Sequence, residues 1–181
     1  MAGYVGLDIV RSVPMDHVES IRRIVYKINQ IDKKLAKKVD PPTYSYEEIL
    51  ERTYTGRKES VNLEGCKILL ERGAVELPNG KYRFSHDLRV TVPVSLPVSD
   101  DTSRQIARNL KCPVCIVKGD PGEYYEPKEN FDSFIEYMRQ NVEDFQFHFV
   151  PGTHHFHLND PESTVPIVTE FLDTKMTIKD S

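Results

Sequence analysis

Three side chains that could transfer or orient a proton lie at the ends of predicted strands: Asp8, Asp120 and His154. A histidine paired with a carboxylate supplies the base and the acid of a nucleophile–histidine–acid system. In that system the histidine takes a proton from the nucleophile, while the acid fixes the imidazole tautomer and stabilises the imidazolium. The sequence therefore contains one candidate base and two candidate acids for acyl-transfer chemistry.

The elements that must position these side chains are three apolar segments and the turns that follow them. Strands are predicted over Tyr4–Val10, Cys112–Val117 and Phe145–Val150. Helical patterns follow the second and third strands, and this alternation with continuous apolar strands predicts a parallel sheet. Because ligands bind beyond the carboxyl ends of parallel strands, the two aspartates and the histidine are expected on the ligand-binding edge.

Periodicity and capping residues predict the rest of the chain. Helices are predicted from Pro14 to about Lys38, from Ser45 to Gly56, from about Ser60 to Arg72, from Thr102 to Leu110, from Pro127 to Asn141 and from Pro161 to Leu172. The Asn79-Gly80 pair predicts a hairpin, and Leu88–Ser99 is expected to be an extended connection. Residues 1–13 would then be a core strand, 14–100 a helical cap with its connection, and 101–181 the remainder of the core.

Composition argues against several classes of protein. With 24 Lys and Arg against 28 Asp and Glu, the chain has a net charge of −4 and a pI near 5.9, which disfavours general nucleic-acid binding. No apolar run approaches the roughly 20 residues of a membrane span, and no signal-peptide pattern is visible at the start. Three cysteines, an odd number, suit a reducing compartment, so we expect a cytoplasmic protein, with peroxisome or vesicle association left open.

Two patterns share letters with metal or redox motifs but differ from them in context. Four histidines are close in sequence, without a His-Glu-x-x-His spacing, so neither a metal nor a cofactor is expected: His148, His154, His155 and His157. Residues 112–115 have Cys-x-x-Cys spacing, but a thioredoxin-like motif opens a helix, whereas this one opens an apolar strand. Buried structural thiols are the expectation.

Several segments together resemble a known fold. The segment Val150–Glu162, which contains Pro-Gly-Thr-His-His-Phe-His, and the helix pattern after it resemble the histidine loop and last helix of the α/β-hydrolase fold. Residues 112–119 resemble its penultimate strand, and residues 7–14 resemble the strand that leads into its cap. Within the superfamily the chain is similar to the serine hydrolase-like proteins, whose cap the helical middle and residues 82–89 also resemble.

The resemblance implies a fold and a set of roles. The fold would be α/β: the C-terminal portion of an α/β hydrolase, with parallel strands flanked by helices and a helical cap insertion. His154 would be the base, with His155 as the alternative one residue later. The acid would be Asp8, at the end of the strand before the cap, or Asp120, after the penultimate strand.

One departure from the family pattern bears on function. An α/β hydrolase carries its nucleophile on a Gly-x-Ser-x-Gly elbow, and no such pattern occurs in the 181 residues. We therefore expect a truncated chain without turnover, whose parent hydrolyses an ester or thioester bond in a small apolar substrate through a Ser-His-Asp triad. The alternative is a non-catalytic fragment or pseudoenzyme that binds a ligand or partner. A dehalogenase-like parent, with an aspartate nucleophile on the missing elbow, also stays open.

Two surface features follow from this interpretation. The predicted helix over residues 14–38 combines basic residues with an apolar stripe formed by Val18, Ile21, Val25 and Ile28. A cap helix with this stripe over the active site is favoured over a helix lying on a membrane. Loss of the early strands would leave the edge of the first remaining strand bare. We expect marginal stability, with oligomers or aggregates forming through that edge.

Overall fold

The structure, a computed structural model, describes residues 3–12, 16–37, 40–92 and 98–175. Its elements in chain order are β1 (Tyr4–Leu7), α1 (His17–Ala36), α2 (Tyr46–Gly56), α3 (Leu63–Gly73), β2 (Ala74–Glu76), β3 (Tyr82–Phe84), α4 (Asp100–Arg108), β4 (Val114–Asp120), α5 (Lys128–Asn141), β5 (Phe145–Pro151), α6 (Phe156–Asn159) and α7 (Val165–Lys175). The chain divides into two compact units, one formed by residues 1–14 with 98–181 and the other by residues 15–97.

The first unit is built on a parallel sheet with the strand order β1-β4-β5. Val114 lies opposite Tyr4 on one side and opposite Phe145 on the other, so the three strands start in register. The order places β4 between β1 and β5. This arrangement confirms the predicted α/β fold with parallel strands flanked by helices.

The central strand β4 is apolar because both of its faces are covered. Val114 and Ile116 pack on one face against α4 and α5, together with Ala107, Phe134, Met138 and Val142. Cys115 and Val117 point to the other face and pack against α6 and α7, together with Val150, Phe156 and Phe171. Burial on two faces fixes the register of the central strand, since a slip by one residue would exchange the two sets.

The first strand ends three residues earlier than predicted. The apolar pattern extends to Val10, but Asp8 has a φ of +64°, which takes the chain out of the strand. The Ile9 N–H then donates to the Leu7 carbonyl oxygen, which closes a tight turn. Aspartate tolerates this left-handed conformation better than most residues. The consequence is that Asp8 lies directly at the carboxyl end of β1.

Several helices begin at a residue other than the predicted one, directly after the residue that caps their first turn. The third helix begins at Leu63 because the Asn62 side chain accepts from Gly65 N, and the predicted start near Ser60 is wrong. In the same way α4 begins at Asp100 because Ser99 is its cap. Part of the predicted extended connection, Leu88–Thr91, is a 3-10 turn, and residues 93–97 lie outside the described residues. The predicted helix opening at Pro14 also lies outside them; α1 begins at His17 after the Asp16 cap.

In its described residues, the second unit contains three α-helices, a hairpin and the 3-10 turn at Leu88–Thr91. Ser45 and Glu48 form the predicted capping box at the start of α2. The predicted hairpin pairs β2 with β3 antiparallel, with Gly80 at a φ of +74° in the connecting turn. The two strands are shorter than the sequence pattern indicates. The Leu77 N–H donates to the Lys81 carbonyl oxygen, and this hydrogen bond belongs to the connecting turn and not to the strand pairing. Among the described helices, none has the length and apolar character needed to cross a membrane.

Candidate active site

A buried carboxylate forms the centre of the site at the carboxyl end of the sheet. Asp8 has a fully buried side chain, and its Oδ2 lies 2.5 Å from the Nδ1 of His154. Its other oxygen, Oδ1, accepts hydrogen bonds from Lys118 Nζ at 2.9 Å and from Gly119 N at 3.1 Å. One carboxylate thus joins the ends of β1 and β4 to the loop that follows β5.

The backbone of three strands positions these groups. The Asp8 N–H donates to the Val117 carbonyl oxygen at 2.7 Å, which continues the pairing of β1 with β4 as the chain turns. The loop after β5 approaches so closely that a Cβ on Gly119 would lie 2.6 Å from the carbonyl oxygens of both Gly152 and Thr153. Gly152 has a φ of +132°, a conformation that glycine adopts readily. Two glycines therefore allow the loop to place His154 against Asp8.

The hydrogen bonds decide which imidazole nitrogen carries the proton. Asp8 already accepts from an ammonium group and a backbone N–H, so it is an ionised acceptor. His154 Nδ1 must then donate to Asp8, which leaves Nε2 with a free lone pair as the basic nitrogen. The His154 side chain is 24% exposed, so the ring is partly accessible to a reacting group. This is the arrangement that a general base requires.

Lys118 is a member of the site that sequence reasoning missed. Its side chain is 2% exposed, and its Nζ donates to Asp8 and to the Glu123 carbonyl oxygen, with the Tyr124 ring centroid 4.8 Å away. A signal was present in the sequence. A lysine that continues an apolar strand buried on both faces needs a buried anion as its partner. That reasoning would have led to Asp8.

The second candidate acid lies elsewhere on the same edge. Asp120 ends β4 and is exposed, and its carbonyl oxygen accepts from Gly152 N at 3.1 Å. In the described part of the chain, the carboxylate bonded to His154 is that of Asp8, and Asp120 makes no hydrogen bond to the imidazole. Asp120 therefore contributes to this edge through its backbone.

The neighbouring rings surround His154 on several sides. The rings of Tyr125 and His155 lie edge-on to His154, with centroids at 5.6 Å and 4.6 Å. Burial, with the negative charges of Glu123 and Asp8, raises the pKa of Tyr125, so its phenol stays protonated at neutral pH. Desolvation, with the nearby His154, lowers the pKa of His157 against an opposing effect of Asp8.

Neither a nucleophile nor a metal site accompanies the pair within the described residues. No hydroxyl or thiol there is hydrogen-bonded to the His154 imidazole. No group of three His, Cys, Asp or Glu side chains in the described ranges could hold a metal ion. The three cysteines, Cys66, Cys112 and Cys115, are buried and free, in agreement with structural thiols.

A second buried ion group lies three residues beyond Asp8. Arg11 pairs with Glu126 through two hydrogen bonds, Nε to Oε1 at 3.1 Å and Nη2 to Oε2 at 2.5 Å, and also pairs with Asp100. Its guanidinium carbon lies 4.3 Å from the centre of the Phe134 ring. Burial alone would lower the pKa of Arg11, but the hydrogen bonds to Glu126 and Asp100 outweigh it and raise the pKa. The group ties the segment after β1 to α4 and to the loop before α5.

The first unit also contains an apolar cavity away from the Asp8–His154 pair. Its volume is about 310 Å³, and its walls include Tyr4, Ile116, Phe134 and Met138. Neither Asp8 nor His154 lines it. This cavity lies on the α4 and α5 face of the sheet, so it is not the place where the imidazole would act.

Comparisons with known proteins agree with the fold. No family model matches the chain. The chain is 32% identical over 133 residues to a probable serine hydrolase of Drosophila melanogaster, covering 72% of this chain and 40% of that protein. It is 26% identical over 162 residues to serine hydrolase-like protein 2 of Homo sapiens, covering 83% of this chain and 49% of that protein. The chain thus spans less than half the length of the curated relatives it matches.

A solved structure supports the same assignment at the level of the fold. The crystal structure of E-2-(acetamidomethylene)succinate hydrolase superposes with a TM-score of 0.64 at 16% identity, covering 96% of this chain and 58% of that one. A parallel sheet with helices on both faces agrees with the core of an α/β hydrolase. Together with the curated relatives, this fold shows that the chain belongs to the α/β-hydrolase superfamily. Within it, the relatives place the chain in the serine hydrolase-like group.

Proposed function

We propose that this chain supplies the base and the acid of an enzyme that hydrolyses an ester or thioester bond in a small apolar substrate. His154 would be the base and Asp8 the acid. The observation that carries the proposal is the 2.5 Å contact between His154 Nδ1 and the buried Asp8 carboxylate. It holds the imidazole in the tautomer whose Nε2 can accept a proton.

The proposed reaction has two halves. A serine Oγ attacks the acyl carbon while its proton passes to His154 Nε2, and the imidazolium then protonates the departing alkoxide or thiolate. In the second half, water gives a proton to Nε2 and attacks the acyl-serine, and the proton returns to the serine as the acid product leaves. Asp8 stays ionised throughout and stabilises each imidazolium.

The serine would come from outside residues 1–181, and this chain would be the C-terminal portion of the hydrolase. Three observations support this part of the proposal. The 181 residues contain no Gly-x-Ser-x-Gly. The two curated relatives above are matched over 40% and 49% of their lengths. Tyr4 and Asp8 direct their N–H groups toward β4, so the alternate groups of Val5 and Leu7 point to the outer edge of β1, where a strand could pair.

We further propose that residues 15–97 are the cap of this enzyme. They belong to one compact unit, whose described residues form three α-helices and a hairpin, and in the chain they follow β1 and precede β4. The proposed compartment is the cytoplasm, which suits three buried, free cysteines. Fractionation of cells that express the tagged protein would test the compartment.

The decisive experiment extends the coding sequence upstream and assays the longer protein on p-nitrophenyl acyl esters. Asp8→Asn and His154→Ala should each lower kcat at least a thousandfold, with KM changed little. The matched controls are Asp120→Asn and His155→Ala, which should retain most activity. A fluorophosphonate probe should label the longer protein, and should not label residues 1–181 alone. Greater losses in the control variants would reassign the acid or the base.

A second candidate function is a non-catalytic module that binds a ligand or a partner. The observation that favours it is the lack of a hydroxyl or thiol on the imidazole within the described residues. If the transcript has a stop codon just upstream of Met1 in frame, the cell makes the short form. The same ester assay on the short form would then show no turnover, and Asp8 and His154 would be structural.

A further inference from the structure

We propose that the second unit carries a separate binding pocket for an oxyanion, a carboxylate or a phosphate, attached to an apolar body. The pocket lies between α2, α3 and β3 and has a volume of about 430 Å³, within the usual range for small-molecule sites. Its lining combines three basic side chains with apolar walls: Arg52, Arg57, His86, Leu69, Leu70 and Phe84. Neither the relatives nor the proposed hydrolase reaction assigns a role to it.

The two arginines in the pocket are held by neutral groups. Arg57 Nη1 donates to the Thr53 carbonyl oxygen at 3.1 Å, and the Arg52 guanidinium carbon lies 4.6 Å from the centre of the Tyr44 ring. Among the described residues, neither arginine forms an ion pair. Two guanidinium groups that line one pocket repel each other, and an oxyanion bound in the pocket offsets that repulsion. The planar guanidinium also presents paired N–H donors that match a carboxylate or phosphate.

Nearby carboxylates are already engaged. Glu48, one helical turn before Arg52, accepts from Ser45 N at 2.8 Å in the capping box instead of pairing with the arginine. Asp87, next to His86, accepts from the backbone N–H and two side-chain N–H groups of Arg89, which holds the pKa of Asp87 down at about 2. Neither acid is therefore paired with Arg52 or Arg57.

The rest of the lining suits an apolar body beside the anionic group. Leu69 is half-buried, and Leu70 is 5% exposed, so both present hydrocarbon to the cavity. Gly56 and Gly73 also line the pocket, and a Cβ on either would meet no atom within 4 Å. The space between the helices is therefore open. A ligand with an oxyanion head and a short alkyl or aryl body matches both parts of the lining.

Titration calorimetry and amide NMR on the full chain test the proposal with four probes: inorganic phosphate, octyl phosphate, octanoate and octanol. Octyl phosphate or octanoate should bind more tightly than octanol and should perturb amides of α2, α3 and β3. The ranking of the two anions identifies the head group. Arg52→Gln and Arg57→Gln should each weaken binding about tenfold or more, the loss expected for one charge-assisted hydrogen bond.

The controls separate this pocket from general charge effects. Arg83→Gln removes an exposed arginine on β3 that does not line the pocket, and it should leave affinity unchanged. Leu69→Trp should block the octyl probes by filling the cavity. Arg57→Lys keeps the charge but loses the paired N–H donors. This variant replaces Arg57→Gln in the binding experiment if Arg57→Gln does not fold. Binding that survives both arginine replacements or Leu69→Trp, or perturbation confined to the first unit, would overturn the proposal.

Discussion

The two buried ion groups of the sheet unit start from the same short segment and differ in how they are completed. In the first, Asp8 is fully buried and bonds to Lys118 and His154, and one ring nitrogen of His154 stays free for other partners. In the second, Arg11 bonds to Glu126 and Asp100, and these contacts use the guanidinium on both sides. In the first group, a basic ring nitrogen of the partly exposed His154 remains available to other partners. In the second group, the guanidinium makes its contacts within the group.

The difference shows how a chain can place a stable anchor beside a reactive group. Arg11 ties the segment after β1 to two other elements, so the turn that holds Asp8 is fixed from its far side. Asp8 is thus held in place by contacts other than the one to His154, and it can fix the orientation of the imidazole. Burial makes both groups costly to break, because an unpaired charge remains when one partner is removed. Four substitutions test this comparison, from the largest expected effect to the smallest.

Lys118→Met should have the largest effect on the free energy of unfolding. It leaves the Asp8 carboxylate buried without its cation, so a loss of about 3–5 kcal/mol is expected. Urea unfolding of the variant measures it. The double variant with Asp8→Asn should lose less than Lys118→Met alone, because the uncompensated charge is removed. Equal losses in the single and double variants would show that Lys118 acts by packing alone.

Arg11→Met should cost somewhat less, about 2–4 kcal/mol, because only one of its two partners is buried. The Glu126 side chain is 8% exposed, whereas that of Asp100 is 47% exposed and can be solvated. The same unfolding experiment applies. Amide exchange in α4 and in the loop before α5 should speed up in this variant more than in Lys118→Met. A uniform change across the sheet unit would contradict the anchoring role.

Gly119→Ala should cost about 1–3 kcal/mol, the usual range for forcing extra atoms into a packed site. Its Cβ would meet the carbonyl oxygens of Gly152 and Thr153 at 2.6 Å, so the histidine loop must move away from Asp8. Gly56→Ala is the matched control, since its Cβ meets nothing within 4 Å. It should leave stability unchanged or raise it by about 0.5–1 kcal/mol. Similar losses in both variants would show that the close approach has no energetic consequence.

Asp100→Asn should have the smallest effect, below about 1 kcal/mol, because the carboxylate is largely solvated. Hydrogen bonds to Arg104 and Arg11 lower the pKa of Asp100 from its ordinary value of 3.8. A depressed pKa in the folded state gives stability that is present above pH 3.8 and is lost as the pH falls through the folded value. The free energy of unfolding should therefore change less between pH 2 and pH 6 in the variant than in the parent protein. The difference should equal the stability that the variant loses at pH 6.

The local patterns of the sequence were sufficient for much of the fold. Apolar runs identified three strands, and their alternation with helices indicated that they are parallel, because a parallel strand needs a helix to return. The capping box at Ser45 placed the start of α2 correctly. The end of β1 and the start of α3 were wrong, since an aspartate in a left-handed conformation and an asparagine cap override the apolar pattern.

The candidate site could also be predicted only in part from the sequence. The sequence and its resemblance to a family indicated His154 and left Asp8 and Asp120 as alternative acids, because each follows a strand. It could not choose between them, since the choice depends on which carboxylate the loop after β5 reaches. The partners of Arg11 were missed, because ion pairs between residues 89 and 115 positions apart have no local signal. Lys118 was missed although a lysine in a strand buried on both faces indicates a buried anionic partner.

The sequence by itself determined the elements, the parallel arrangement and the residue types available for proton transfer. Those properties depend on periodicity and on side chains that are close together in the chain, so they can be predicted from the sequence alone. Only the tertiary structure decided that Asp8, Lys118 and His154 meet, with His154 Nδ1 2.5 Å from the carboxylate. That contact depends on strand order, on two glycines that allow close approach, and on burial that makes an unpaired charge unfavourable.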